Sequence, residues 1–196
     1  MHRTTGSAAL VVRIVIVIGL VFPAAAGLYS RASANSFPGN SDQTTTPDAN
    51  VTFCLDSSFS TDTSLAFYAM NVMDQTTELY DTYKSSCDIY TDVWWWEADL
   101  PGAVRGRREC YWYGSGNTCL LNDLYLDIAE LDSNGTYIWE DRAKTAVHEL
   151  GHAIGLGHDE SQINAMKSGD VVQSSPSSLA WRRYSDHDVN HLDTYY

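Results

Sequence analysis

The sequence predicts a single α+β domain in which a small twisted sheet packs against helices. Three observations support this class. The hydrophobic fraction of 44% is typical of a globular chain, and the length of 196 residues suits one domain. Apolar residues recur with strand spacing in some segments and with helix spacing in others. We expect the folded domain to span about Val51 to Tyr196, residues 51–196.

The N-terminal region has the features of an export signal, and we predict a signal peptide over residues 1–34. A weakly basic start precedes an apolar run from Ile14 to Phe22, and small-residue cleavage patterns end at Ala26 and at Ala34. An uncleaved membrane anchor is the alternative, because the wider apolar region is long enough to span a bilayer if the interruption at Arg13 is tolerated.

Residues 35–50 are rich in Ser, Thr, Asn, Asp, Gly and Pro, so we predict a linker or a short pro-segment there. The formal net charge is −13, and no acidic residue precedes Asp42. Such an acidic domain repels phosphate backbones, which excludes nucleic acid as a partner. Export predicts a secreted, extracellular protein with no stable membrane association after the signal is removed.

Secondary structure is predicted from hydrophobic periodicity, taken in chain order. Val51 to Leu55 is a first strand, and a helix is expected from about Asp62 to Tyr83 because its apolar residues recur at near-helical spacing. Val93 to Trp96 is β-prone and predicts a strand, and Leu124 to Leu131 is another because alternate residues are apolar. A loop region is expected between these last two strands.

Three consecutive tryptophans stand in the strand at Val93. Successive strand residues face opposite sides of a sheet, so we expect Trp94 and Trp96 to enter the core and Trp95 to face outward. An exposed aromatic ring could stack on a sugar, but core packing explains the run more simply.

Four cysteines follow the predicted signal: Cys54, Cys87, Cys110 and Cys119. An even number in a secreted chain indicates two disulfides, for which three pairings exist. We predict Cys54–Cys87, which ties the first strand to the chain after the first helix, and Cys110–Cys119, which closes a short loop rich in Gly and Ser. No pair has the C-x-x-C spacing of a zinc knuckle.

Residues 148–159 read His-Glu-Leu-Gly-His-Ala-Ile-Gly-Leu-Gly-His-Asp and predict a metal-binding helix. At about 100° per residue, His148 and His152 lie about 40° apart on one face. The opposite face is apolar, with Ala143, Ala146, Val147, Leu150 and Ile154. Gly155 can end the helix with a positive φ and let the chain turn back, so that His158 reaches the same ion.

These residues predict a catalytic zinc site. Three neutral imidazoles leave the fourth position of a tetrahedral zinc open to water, so His148, His152 and His158 are expected to hold one Zn²⁺ ion. Glu149 lies beside the ligands and is expected to be the general base that activates the zinc-bound water for attack on a peptide bond. A buried helix with incidental histidines is the alternative, but it would place two polar rings opposite a clean apolar stripe.

The pattern resembles the metzincin clan of zinc metallopeptidases, whose motif H-E-x-x-H-x-x-G-x-x-H is followed by a methionine turn. The matching residues are His148, Glu149, His152, Gly155 and His158, and Met166 is similar to the turn methionine. The resemblance covers about Arg142 to Gly169 and is greatest to short secreted matrixins. It implies a metzincin-like single domain, with a mixed sheet, a zinc-binding active-site helix, a C-terminal helix and endopeptidase activity on protein or peptide substrates.

The resemblance also implies where substrate and supporting residues lie. Met166 is expected beneath the zinc without binding it. Asp159 is expected to orient nearby backbone; the alternative is that Asp159 replaces His158 as the third zinc ligand. Substrate is expected along an edge strand, for which Leu124 to Leu131 is the candidate. An S1′ pocket is expected between the zinc helix and the segment after Met166. The sequence does not show whether calcium is required as well. The alternative function is a non-catalytic extracellular binding module that retains the zinc site.

The C-terminal segment predicts a last helix that starts with a capping box over Ser185 to Asp188. Val189, Leu192 and Tyr196 would then face the core. Two histidines four residues apart on this helix, at positions 187 and 191, could form a second metal site with the nearby acidic residues, although surface histidines are the preferred explanation.

Overall fold

A computed structural model describes residues 46–115, 118–133, 135–171 and 177–196. The predicted signal peptide, residues 1–34, and the predicted linker as far as residue 45 lie outside the described residues. Over the described part the fold is α+β, with a five-stranded mixed sheet and four α-helices, as the sequence predicts. No helix of the described ranges has both the length and the apolar character needed to cross a bilayer.

The elements of the described residues, in chain order, are β1 (Asn50–Leu55), α1 (Ser64–Thr76), β2 (Tyr80–Tyr83), β3 (Val93–Glu97), β4 (Gly106–Tyr113), β5 (Cys119–Leu126), α2 (Ile128–Asp132), α3 (Ile138–Ala153), a 3₁₀ turn (Leu179–Arg182) and α4 (Asp186–Tyr195). The strands are ordered β2-β1-β3-β5-β4 across the sheet. The first four of these strands are mutually parallel, and β4 pairs with β5 in the antiparallel direction at one edge.

The hydrophobic core lies between one face of the sheet and helices α1 and α3. The central strands supply Phe53, Trp95 and Leu124, and all three side chains are fully buried. Leu65 of α1 and Leu150 of α3 belong to the same buried cluster. Because parallel strands need cover, this packing fixes α3 firmly against the sheet and gives the histidine motif a rigid support.

Helix α1 is shorter than the periodicity predicts. It ends at Thr76, and the residues assigned to its last part form β2 instead. The hydroxyls of Thr76 and Thr77 donate to the carbonyls of Val72 and Met73, so side chains at the end of the helix provide hydrogen bonds to carbonyl groups of its last turn. Thr77 is then extended, and the chain continues as a strand.

The predicted strand at Leu124 to Leu131 is wrong in its bounds and in its place in the sheet. The strand is Cys119–Leu126, and the Asp127 side chain accepts a hydrogen bond from the Glu130 backbone N–H and so starts α2. This strand lies between β3 and β4, so it offers no free edge. The edge strand on this side is β4, Gly106–Tyr113, which was predicted to be loop.

The tryptophan run has the opposite orientation to the predicted one. Trp95 is fully buried in the core, whereas Trp94 and Trp96 are half-buried on the other face of the sheet, with ring centroids 5.8 Å apart. Trp95 is paired in register with Leu55 and Leu124, whose side of the sheet is the core side. Alternation alone does not determine which of three identical residues faces the core. The residues that they pair with and pack against determine it.

Both predicted disulfides are confirmed. Cys54 of β1 is bonded to Cys87 in the segment between β2 and β3, and Cys110 of β4 is bonded to Cys119 of β5. The second bond links the edge strand covalently to β5, the strand with which it pairs. Two disulfides are typical of a protein that folds in an oxidising environment.

The capping box of α4 is confirmed, since the Ser185 hydroxyl accepts from the Asp188 N–H and the Asp188 carboxylate accepts from the Ser185 N–H. Leu192 is buried in the core as predicted. The Tyr196 hydroxyl accepts a hydrogen bond from the Thr46 N–H (3.1 Å) and donates to the Ile154 carbonyl (3.3 Å). Thr46 is therefore packed onto the domain, although the sequence predicted linker as far as residue 50.

Candidate metal centre

Helix α3 positions two histidines and a glutamate next to the core. Its apolar stripe is fully buried as predicted, with Ala143, Ala146, Val147 and Leu150 at 0% exposure. The helix ends at Ala153, and Gly155 adopts a φ of 102°, a left-handed conformation that a residue with a side chain rarely takes. This reversal brings the following loop, with His158, back towards the exposed side of the helix.

The three motif histidines form one cluster. Their metal-binding nitrogens all lie within 4.8 Å of one another. Ring centroids are 4.5 Å apart for His148 and His152, 5.1 Å for His148 and His158, and 5.0 Å for His152 and His158. This group could bind a metal ion. The described residues contain no second group of this kind, so the alternative site around His187 and His191 is not found.

Hydrogen bonds to backbone carbonyls orient both helix histidines. Nδ1 of His148 lies 2.8 Å from the carbonyl oxygen of Ala165, and Nδ1 of His152 lies 2.8 Å from that of Leu156. A carbonyl oxygen only accepts, so each Nδ1 is the protonated nitrogen of its ring and each neutral ring keeps its lone pair on Nε2. The backbone contacts therefore aim both lone pairs towards the centre of the cluster.

The spacing of these lone pairs suits a cation. The two Nε2 atoms of His148 and His152 are 3.0 Å apart, with no proton on either to share. Two nitrogens on one tetrahedral zinc, at bond lengths of about 2.0–2.1 Å, would be separated by about 3.3 Å. A small rotation of either ring is enough to reach that distance, so the donor set fits a zinc-sized ion.

Burial keeps both helix histidines in the form that binds metals. It lowers the pKa of His148 well below its ordinary value, and the neighbouring His152 and Lys144 lower it further. Burial also lowers the pKa of His152 to about 4, although the hydrogen bond to Leu156 opposes the shift. Neutral imidazole is the state that coordinates a metal, so protons do not compete for the site at neutral pH.

Glu149 is a buried carboxyl group, only 6% exposed, next in sequence to His148. Burial raises its pKa to about 8, opposed by the positive charge of Lys144 and by a hydrogen bond from the Arg108 backbone N–H. Gly106 permits this contact, because a Cβ there would lie 2.7 Å from Oε1 of Glu149. Sequence reasoning missed Gly106, whose only signal was a glycine before a run of arginines.

Met166 packs directly under the histidine helix. It is fully buried, and a Cβ on Gly151 would overlap its sulfur and lie 3.0 Å from its Cε. Met166 follows Ala165, whose carbonyl orients His148, so packing and ligand orientation share one segment. Gly151 was not singled out from the sequence, although a glycine inside a helix costs about 1 kcal/mol and usually has a packing reason.

The Asp159 carboxylate is occupied by its own loop. It accepts hydrogen bonds from the Ser161 N–H (3.0 Å), the Ser161 hydroxyl (2.5 Å) and the Asn164 side-chain amide (2.8 Å). The Asp159 backbone N–H donates to the Met166 carbonyl (3.0 Å). These bonds hold the loop that connects His158 to Met166, and the aspartate is not among the clustered metal-binding groups.

A cavity of about 400 Å³ opens beside the cluster. It lies between α3, the chain entering β4 and the segment after Met166, which is where the S1′ pocket was predicted. Its walls are formed by residues 103–106, Lys144, Thr145, His148, Glu149, Gly169 and Asp170.

Comparison of the sequence with profiles of known protein families finds no match. Comparison with functionally characterised proteins finds no similar sequence either. The evidence on function is therefore the side chains of the site and the motif that they form.

Proposed function

We propose that the protein is a secreted zinc-dependent endopeptidase in which His148, His152 and His158 bind the metal and Glu149 is the general base. The most direct support is the convergence of two Nε2 lone pairs on a helix that also carries Glu149, a buried carboxyl group on the same cavity wall as His148. The resemblance of the motif to the matrixin-type metzincins favours the same reaction. A bound zinc would polarise the carbonyl of the scissile peptide bond and lower the pKa of a water molecule.

Zinc is proposed because of the ligand set. Imidazole suits zinc and several other transition metals, and three neutral ligands with an open position are typical of catalytic zinc. The carbonyls of Ala165 and Leu156 hold the rings of His148 and His152 and so act as their outer supports.

Glu149 would move the proton in the reaction. Its carboxylate would accept a proton from the attacking water and deliver it to the nitrogen of the leaving amine. Burial raises the pKa of Glu149, which favours release of the proton to the leaving group, whereas a zinc ion bound at the histidines would favour the charged carboxylate that accepts it. The Arg108 N–H and the close approach of β4 at Gly106 would hold the carboxyl group in place.

We propose β4 as the strand that receives the substrate, in place of the interior strand predicted from the sequence. It lies at the edge of the sheet, and its first residue, Gly106, is so close to Glu149 that a Cβ at this position would overlap the Glu149 side chain. An extended peptide paired with this edge would gain main-chain hydrogen bonds that depend little on sequence. Its scissile bond could then lie beside the three histidines.

The rival function is an extracellular binding module that keeps zinc without turnover. Such a module needs no buried carboxyl group beside the metal, and burying Glu149 is costly because burial disfavours its charged form. The two disulfides suit secretion under either function and do not separate them.

The deciding experiment is Glu149→Gln, assayed for zinc content and for hydrolysis of an unfolded protein substrate. Glutamine keeps the shape but cannot accept the proton, so we expect near-normal zinc stoichiometry and a rate lower by about 10²–10⁴-fold. Glu140→Gln, on the same helix but outside the cavity, is the control and should keep both properties. Wild-type protein that binds zinc but hydrolyses nothing would favour the binding module instead.

A further inference from the structure

The cavity beside Glu149 contains an unusual buried cation. Lys144 lies one turn before His148 on α3 and is only 4% exposed, yet it lines the cavity wall. Its ammonium donates to the carbonyls of Lys167 and Gly169, both at 2.6 Å. An ammonium has three N–H groups, so these two bonds leave one for a further acceptor.

No carboxylate forms an ion pair with Lys144 in the ranges that the structure describes. The other cation of the cavity, Arg105, is ion-paired with Asp170, so those two charges offset each other. Lys144 therefore has no carboxylate within ion-pair distance in the described ranges, although the more distant charges of Asp141, Glu149 and Glu160 favour its charged form. Its desolvation occurs on folding, so a ligand carboxylate would meet a charge that is already stripped of water and held in place.

We propose that this cavity receives the substrate side chain that follows the scissile bond and that Lys144 makes it prefer an acidic one. The inference rests on the proposed endopeptidase function. A glutamate side chain would form a charge-assisted hydrogen bond with Lys144, which is stronger in a partly desolvated site than in water. Glutamine has the same shape but lacks the charge, and a lysine side chain would be repelled.

A purely structural role for Lys144 has a different signature. Its two bonds to Lys167 and Gly169 hold the segment that forms one wall of the cavity. If that were its only contribution, its removal would slow the cleavage of all substrates by the same factor. The charge preference would then be unchanged.

The test uses two peptides that differ only in Glu or Gln after the scissile bond. The full-length secreted protein is assayed for kcat/KM on both. Glutamine can still accept a hydrogen bond from the ammonium, so only the added charge of Glu separates the two peptides. The wild-type protein should therefore prefer the Glu peptide by about 10-fold, the lower end of what a hydrogen bond to a charged group contributes. The ratio of the two kcat/KM values tests the preference on the wild-type protein alone.

Variants then assign the preference to its residue. Lys144→Met should bring the Glu-to-Gln ratio close to one, Lys144→Arg should retain a preference for Glu, and Lys167→Met, outside the cavity wall, should keep the wild-type ratio. A wild-type ratio near one, or a Lys144→Met variant with the wild-type ratio, would overturn the inference and leave the endopeptidase standing. Failure to cleave any peptide would overturn the proposed function, and this inference with it.

Discussion

The contact between Gly151 and Met166 gives the most demanding prediction. An alanine at position 151 would place its Cβ over the Met166 sulfur, 3.0 Å from Met166 Cε and 3.1 Å from Tyr184 Cε1. Met166 is fully buried and Tyr184 nearly so, hence neither side chain can move away freely. The Tyr184 hydroxyl is also bonded to the Val147 carbonyl (3.1 Å), which ties this ring to the helix itself.

Two effects of opposite sign decide the stability of Gly151→Ala. Alanine is better than glycine in a helix by about 1 kcal/mol, whereas overpacking a core typically costs about 1–3 kcal/mol. We therefore expect a net loss of about 1 kcal/mol in the free energy of unfolding. The displaced Met166 would also shift Ala165, which orients His148, so zinc affinity should fall by about 10-fold to 100-fold.

A double-mutant cycle with Met166→Ala tests the reason for this loss. Unfolding of the metal-free proteins by urea gives the free energies, and a competing chelator gives the zinc affinities. The space left by Met166→Ala can accept the new methyl group of Gly151→Ala. The double variant should then be more stable than additivity predicts, by about 0.5–3 kcal/mol. Additive losses, or a Gly151→Ala protein more stable than wild type, would refute the packing argument.

Two further predictions concern single side chains. His158→Ala should lose zinc and turnover. Asp159→Ala should keep zinc, because the Asp159 carboxylate of the wild-type protein is hydrogen-bonded to Ser161 and Asn164 and is not in the histidine cluster. The reverse pattern in metal analysis would show that the third ligand is misassigned. Burial lowers the pKa of Lys144 to about 8 from an ordinary value of 10.5, so between these pH values the unfolded chain binds the proton more tightly. The free energy of unfolding of the wild-type protein should therefore rise from pH 8 to pH 10.5 relative to Lys144→Met. A flat difference in urea unfolding across that range would contradict the lowered pKa of Lys144.

The site was more predictable than the sheet because its information is local. His148 and His152 share a helix face through their spacing alone, and Gly155 provides a conformation that brings His158 back. By contrast, Gly106, Gly151 and Lys144 matter through residues distant in sequence. Their roles depend on which elements pack together, and no local pattern encodes that.

Strand β4 was missed for a related reason. Its sequence Gly-Arg-Arg-Glu-Cys-Tyr-Trp-Tyr has no alternation of apolar and polar residues, since an edge strand with an exposed face needs none. It becomes a strand by pairing with β5, an interaction between segments that local propensity does not report. The prediction made α1 too long and placed Trp95 on the wrong face of the sheet for the same reason. Tertiary neighbours determine where a helix ends and which face of a strand is buried.

Among the residues that the structure describes, nothing pairs with the outer edge of β4, and this has a consequence for solubility. An unpaired strand edge can join the edge of another molecule as readily as it can pair with a peptide, which promotes aggregation. Charged side chains at Arg107, Arg108 and Glu109 and register shifts between Cys110 and Tyr113 oppose such association. Replacing these charges to improve the proposed peptide binding would therefore weaken the protection of the edge against self-assembly.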